Sequence, residues 1–359
     1  MSKNTHIAAT PISCLAIFGA FSTCSLAQTT PTEFAEMSLQ ELFDESIDAD
    51  EVSQAEQGSK WSFALQFRRA KFDGYLDGSK SLSYHDVLFN AGEETRTAKN
   101  FPVLPTVITQ NVTLFSTGYQ FSRNWRAHIT LPYIHQSTDH ISIVQNYDFF
   151  VIDSSGIGDT SISSSYRFMK DSEHDWWFSA GISIPTGSID EIGDTPRDAG
   201  DQQLPYTMQL GSGTYDFPLE LSFQSKGDYD YAFSVSANIR TGKNDRDYRL
   251  GNNFSVSGSY RYTINSSLKA FTGLEWQYAD AIHGRDTSLL VPGEFEYPAG
   301  ITNPDLYGGK KLNISLGLNW KITPQYRLTV EYSTPLYQHL NGPQPKELWH
   351  SAIKLTKVL

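Results

Sequence analysis

Apolar and polar residues alternate along most of this chain. From Trp61 the alternation is strict: Trp61, Phe63, Leu65 and Phe67 are apolar, and Ser62, Gln66 and Arg68 lie between them. The pattern returns at Trp125/Ala127/Ile129/Leu131/Tyr133, at Trp176/Phe178/Ala180/Ile182/Ile184 and at Tyr231/Phe233/Val235/Ala237/Ile239. It returns again at Leu312/Ile314/Leu316/Leu318/Trp320, at Tyr326/Leu328/Val330/Tyr332 and at Ile353/Leu355/Leu359. Strand side chains alternate faces, so each run predicts a strand with one greasy and one polar face. About ten residues of this kind suit a transmembrane β-strand. A soluble sandwich also alternates, so the pattern by itself leaves both open.

The turns separate the two. Short polar turns near Ser122–Asn124, Lys170–Asp175, Asp230, Thr263–Ser267 and Lys321–Gln325 are each flanked by Trp, Tyr or Phe. Amphipathic rings favour the membrane interface, so aromatics at one end of five hairpins predict a girdle. The other connections are long and polar: Asp73–Pro105, Gln136–Ser155, Thr186–Gln203, Thr241–Asn252, Ala281–Gly309 and Leu336–Lys346. Short turns on one side and long loops on the other predict an all-β, antiparallel up-and-down transmembrane β-barrel of about twelve strands, with both termini in the periplasm.

That count depends on Leu204–Lys226. Large apolar residues there fall on even numbers up to Leu210 and on odd numbers from Tyr215. A parity flip means one inserted residue or a turn. A hairpin would give thirteen strands and put later girdle turns on the wrong side. The expectation is therefore one long strand with a bulge at Gly211, Ser212 and Gly213, whose lower half turns Glu220, Ser222 and Gln224 inward.

The first sixty residues read differently. Residues 1–27 form a Sec-type signal peptide: Lys3, an apolar run from Ile12 to Phe21, and a small-x-small site at Ser25-Leu26-Ala27. Cys24 admits a lipoprotein reading, with a poor lipobox before it. Both cysteines, Cys14 and Cys24, lie in this leader, so the mature chain has no thiol. Residues 28–60 carry nine acids and one base, with a possible short helix around Leu39–Ile47; a disordered acidic tail is the plainer reading. Residues 61–359 are the barrel. No apolar run reaches the length of a membrane helix. The net charge of −12 argues against a nucleic-acid partner.

Chemistry is sparse. His85, His135, His140, His283 and His339 fall near outer loops without a spacing that ties them to a nucleophile, and His128 reads as a lumen residue. The acidic loop with Asp190, Glu191, Asp194, Asp198 and Asp201 does not match a calcium loop. No catalytic, cofactor or metal site is expected. The polar strand faces say more. They carry Arg68, Arg126, Arg167, Arg240, Arg261, Lys269, Lys311, Lys321, Arg327 and Lys354 against Glu220, Glu275 and Glu331. An acidic chain thus has a basic predicted lumen. This is either a structural ladder of paired charges or an electropositive constriction for anions. Charge complementarity further suggests that 28–60 folds against the basic periplasmic mouth.

Several segments carry a family likeness: Ser155-Gly-Ile-Gly-Asp-Thr160 running on to Phe168, Ile184-Pro-Thr-Gly-Ser188, Leu210-Gly-Ser-Gly-Thr-Tyr-Asp-Phe217, Tyr248-Arg-Leu-Gly251 and Pro335–Gly342. From about Gln110 onward the chain resembles the outer-membrane channels named for the meta-pathway of phenol degradation. The resemblance implies a FadL-like or porin-like barrel passing hydrophobic or aromatic compounds. The expected function is passive passage of small solutes, aromatic or anionic, across the outer membrane, with lipid and an unidentified solute as partners. A closed barrel acting through its loops is the first alternative, and a surface enzyme the second.

Overall fold

The computed structural model describes residues 60–171, 173–225 and 230–359. The leader and the acidic segment up to residue 59 lie outside the described residues.

The elements in chain order begin with β1 (Trp61–Gly78), β2 (Lys80–Leu82), the short helix α1 (Tyr84–Leu88), β3 (Val103–Ser122) and β4 (Trp125–Ser142). Then come β5 (Phe149–Ile157), β6 (Thr160–Lys170), β7 (His174–Ile184), β8 (Ile192–Asp194) and β9 (Asp201–Gln203). They are followed by β10 (Asp216–Ser225), β11 (Asp230–Arg240), β12 (Tyr248–Arg249), β13 (Asn253–Asn265) and β14 (Leu268–Ala279). The last are β15 (His283–Gly284), β16 (Gly309–Lys321) and β17 (Tyr326–Val358).

The wall runs β1-β3-β4-β6-β7-β10-β11-β13-β14-β16-β17 and closes where β17 pairs with β1. These pairings are antiparallel, and a closed antiparallel ring needs an even number of strands because direction reverses at each step. Eleven segments satisfy this because β17 is two arms. It pairs with β16 through residues 327–340 and with β1 through 340–358. Since β1 and β16 run in opposite directions, the chain must reverse between these arms. Gly342 (φ +76°) provides the turn, and Gln338 and Glu347 face each other across it, the Glu347 N–H donating to Gln338 Oε1 at 2.9 Å. The barrel therefore has twelve strands. β5 continues β6 upward along β4, with a break at Gly158-Asp159.

Four of the five short turns fall where the alternation put them; Asp230 lies in β11, and residues 226–229 before it lie outside the described residues. Two of the expected long loops do not exist as loops. Gln136–Ser155 is mostly β4 and β5, and Leu336–Lys346 lies within β17. Polar outward residues extend those strands beyond the membrane, which reads as loop when polarity is the guide.

Leu204–Lys226 is not one bulged strand. The wall strand starts at Asp216; Tyr206–Met208 is a 3-10 turn, and 209–215 is irregular. Residues 203–212 are buried on all sides, whereas a wall strand must show one face to lipid. The chain leaves the wall at Ile184, dips inside, and returns at Asp216. Glycines 211 and 213 serve that inward path instead of a bulge. The strand count survives because 185–215 is one connection. Below it Glu220 and Ser222 do turn inward, and Phe217, Leu219 and Leu221 face out.

Along β1 the two faces exchange character without a change of parity. Trp61 to Phe67 are exposed and apolar, with Gln66 and Arg68 buried opposite. One step further Ala70 and Phe72 are the buried residues, and Arg69 and Lys71 face out. β4 does the same: exposed Trp125, Ile129 and Tyr133 give way to His135, while buried Arg126, His128 and Thr130 give way to Ile134. The lower barrel is polar inside and apolar outside, as lipid demands. The upper barrel is mixed: Ala70, Phe72 and Ile134 are buried in it beside Gln136, Thr138 and His140.

Candidate functional site: lumen and cap

All thirteen charged residues expected in the lumen are buried or half-buried, opposite the exposed apolar rows. What the sequence missed is their company. Arg167 pairs with Asp175 at 3.2 Å, both buried. Asp230 takes Arg261 at 3.4 Å and Lys269 at 2.8 Å. Arg240 pairs with Asp216, and Lys311 with Glu347 at 2.6 Å, where His350 also meets the carboxylate. Asp175, Asp216, Asp230 and Glu347 join Glu220, Glu275 and Glu331, so ten bases face seven acids instead of three. Paired charges of this kind are largely self-compensating.

The lower lumen also holds a ring that was not singled out. Trp177 is buried, with the Arg126 guanidinium 4.0 Å and the Arg167 guanidinium 5.3 Å from its centre. Its parity with Asp175 and Ser179 signals an inward side chain. Arg167 is fixed further by Asn124 Oδ1 and by the Arg123 carbonyl at 2.8 Å. Hydroxyls line much of the remaining wall, often paired across strands: Ser116 with Thr130 at 3.0 Å, Ser234 with Ser257 at 2.8 Å, and Ser236 with Ser255 at 2.8 Å.

Above this the lumen is filled by inward-folded connections, which form a cap. Leu210 packs with Val112, Leu114 and Ile134 of the wall. Met208 and Leu204 pack with Ile152 of β5. Tyr206 meets Tyr248 edge-on at 4.8 Å and Tyr307 at 5.7 Å, in a cluster with Leu250, Ile282 and Leu289. The Tyr307 hydroxyl donates to the Ile301 carbonyl at 2.7 Å, and Tyr206 accepts from the Asp286 N–H at 2.9 Å. Burial pushes the hydroxyls of Tyr206, Tyr248 and Tyr307 well above their ordinary range.

The four glycine-rich motifs converge where the cap meets the wall. Asp159 Oδ1 accepts from the Gly187 N–H at 2.9 Å, and Oδ2 accepts from the Ser212 N–H and Oγ, both at 2.7 Å. Asn244 donates to the Ser212 carbonyl at 3.0 Å. Thr214 donates to Asp216 at 2.7 Å, and Arg240, held by Asp216, donates through Nε to the Gly251 carbonyl at 2.9 Å. Glycine is required where backbones touch. A Cβ on Gly211 would lie 2.4 Å from the Gly187 carbonyl oxygen.

The loop histidines have separate settings. His140 stacks on Phe150, His135 lies beside Asn111, His85 tilts against Phe89, His339 lies near Gly78, and His283 is in β15. Buried His128 lies against Gly118. In the acidic loop Asp190 pairs with Arg246, and Asp194 accepts from Tyr147. Among the described residues no group of three or more His, Cys, Asp or Glu is placed to hold a metal.

A closed antiparallel ring with an exposed apolar belt and a polar interior defines a transmembrane β-barrel of the outer-membrane type. The chain belongs to the family described as "Putative MetA-pathway of phenol degradation", whose profile matches residues 95–334. Its fold is shared with an outer membrane channel from Pseudomonas putida F1, 13% identical with a TM-score of 0.53, over 84% of this chain and 96% of that one. The Pseudomonas putida toluene transporter TodX is more distant, at 10% identity and TM-score 0.43, over 88% of this chain and 93% of that one. A Pseudomonas aeruginosa FadL homologue has 9% identity and TM-score 0.42, over 83% and 90%. No curated protein matches the sequence.

Proposed function

We propose that the protein is a passive outer-membrane channel for small solutes, with anionic or aromatic compounds as the preferred class. The observation that carries this reading is the lower lumen. Hydroxyls and buried cations line it, and the cations still outnumber the acids after the newly found pairs are counted. A polar interior is common to barrels of this kind, so the excess of cations over acids is the feature that suits an anion path. Trp177 beneath Arg126 adds an aromatic face beside positive charge, which suits an aromatic acid. The likeness to a channel and the family's description agree with this class of role. The protein acts without catalysing a reaction.

The cap favours a second reading, a closed barrel whose outer face carries the function, because packed side chains fill the upper lumen. Liposome swelling separates the two. Reconstituted protein should admit aromatic monocarboxylates faster than neutral sugars of similar size. Equal swelling for all solutes overturns the preference for anionic or aromatic compounds, and absent swelling contradicts the channel reading and leaves the closed barrel.

A further inference from the structure

We propose that segment 204–214 is the channel's gate and that Asp159 latches it shut; this rests on the channel reading above. The segment bridges the lumen. On one side it lies against β4 and β5: Thr138 Oγ1 meets Met208 Sδ at 3.3 Å, and Ser154 Oγ donates to the Met208 carbonyl at 2.7 Å. On the other it reaches Tyr307 through Tyr206. Tyr307 belongs to the connection after β14, and β14 stands six places from β4 in a ring of twelve. The segment therefore joins opposite walls.

The segment is also separable from the wall. It hangs between Ile184 and Asp216, and the strands it links pair directly at its root, Asp216 with Ser183. Swinging it away breaks no ladder between β7 and β10. Apolar packing holds its middle, and at its C-terminal end the hydrogen bonds converge on one carboxylate. Asp159, at the break between β5 and β6, accepts three hydrogen bonds, two of them from backbone N–H groups on either side of the crossing. Hydrogen bonds to a carboxylate are individually strong in a closed site but are replaced by water once it opens. Gly187, Gly211 and Gly213 supply backbone freedom at the contact, Gly213 with φ +68°. The neighbouring charges are Asp216 and its partner Arg240, which hold the root of the segment rather than its tip.

The mature chain has no cysteine, so a cross-link tests the gate on a clean background. Thr138→Cys with Met208→Cys places two thiols where the native side chains touch. Bridged with a short bis-thiol reagent in a planar bilayer, this protein should lose its conductance, and cleaving a reducible bridge should restore it. Asp159→Asn leaves one donor unmet and should raise the open fraction about tenfold. If the bridged protein conducts like the unbridged one, the gate is wrong and the channel reading stands. If wild type, unbridged pair and Asp159→Asn all fail to conduct, the channel reading falls and the gate with it. The bridged pair keeps the test decisive where Asp159→Asn misfolds.

Discussion

The lower lumen and the cap lie in one barrel and obey opposite rules. Below, Arg68, Arg126 and Trp177 face inward while Phe63, Leu65 and Phe67 face out. Above, Phe72, Ile134 and Leu210 are inside and Arg69 faces out. The difference follows from the solvent. Where lipid surrounds the wall, the interior is the only place for polar groups. Where water surrounds it, apolar side chains are buried inside as well, among polar ones such as Gln136, Thr138 and Gln209. One strand serves both because parity never changes, only the identity of the residues on each face.

If the cap is a packed core, its side chains should be costly to truncate. Tyr206→Ala removes a ring that joins two others and should cost about 3–5 kcal/mol of cap stability, read as protease cleavage within 186–215 while the barrel still migrates as a folded species. Gly211→Ala puts a methyl against the Gly187 carbonyl and Asp159, and should cost about 1–3 kcal/mol by the same assay. Alkali offers a gentler test. The raised hydroxyls of Tyr206, Tyr248 and Tyr307 contribute stability that is complete below the ordinary tyrosine value of 10.0 and is lost as pH rises through the folded values. Cap cleavage should therefore increase above about pH 10, before the wall melts. In the polar lower half, Ser234→Ala removes one cross-strand hydroxyl pair and should cost about 0.5–1.5 kcal/mol. Arg126→Gln should shift the reversal potential towards cations without altering heat-modifiable migration. Removing residues 30–56 has the smallest expected effect on selectivity, because Asp175 and Asp230 already pair with arginines at the rim.

The wall was legible because lipid enforces strict alternation, and the girdle turns fixed its sidedness. The cap was not legible for a physical reason. Tyr206, Met208 and Leu210 show the spacing of a strand, yet Pro205, Thr207 and Gln209, which alternate with them, are buried as well. Alternation reports a boundary between two solvents, and a segment enclosed on all sides has none. The parity flip at Gly211 marked a true discontinuity, but its cause was a departure from the wall. Asp216 was within reach of the same reasoning, since it shares parity with Glu220. Asp175 and Asp230 were read as turn residues, and Glu347 adjoined a stretch read as loop, so their pairing with lumen bases stayed hidden. The convergence of three distant motifs on Asp159, and of the fourth on Arg240, needs the three-dimensional path of the chain.

Cysteine accessibility tests the contrast most directly. Ser257→Cys in the lower lumen and Met208→Cys in the cap, each the sole thiol of residues 28–359, can be exposed to a small water-soluble thiol reagent in reconstituted protein. On the channel reading the lower lumen is wetted and the cap opens only in a minor state, so Ser257→Cys should react at least about tenfold faster. Equal rates, or faster modification at Met208, would contradict a polar lumen beneath a packed cap.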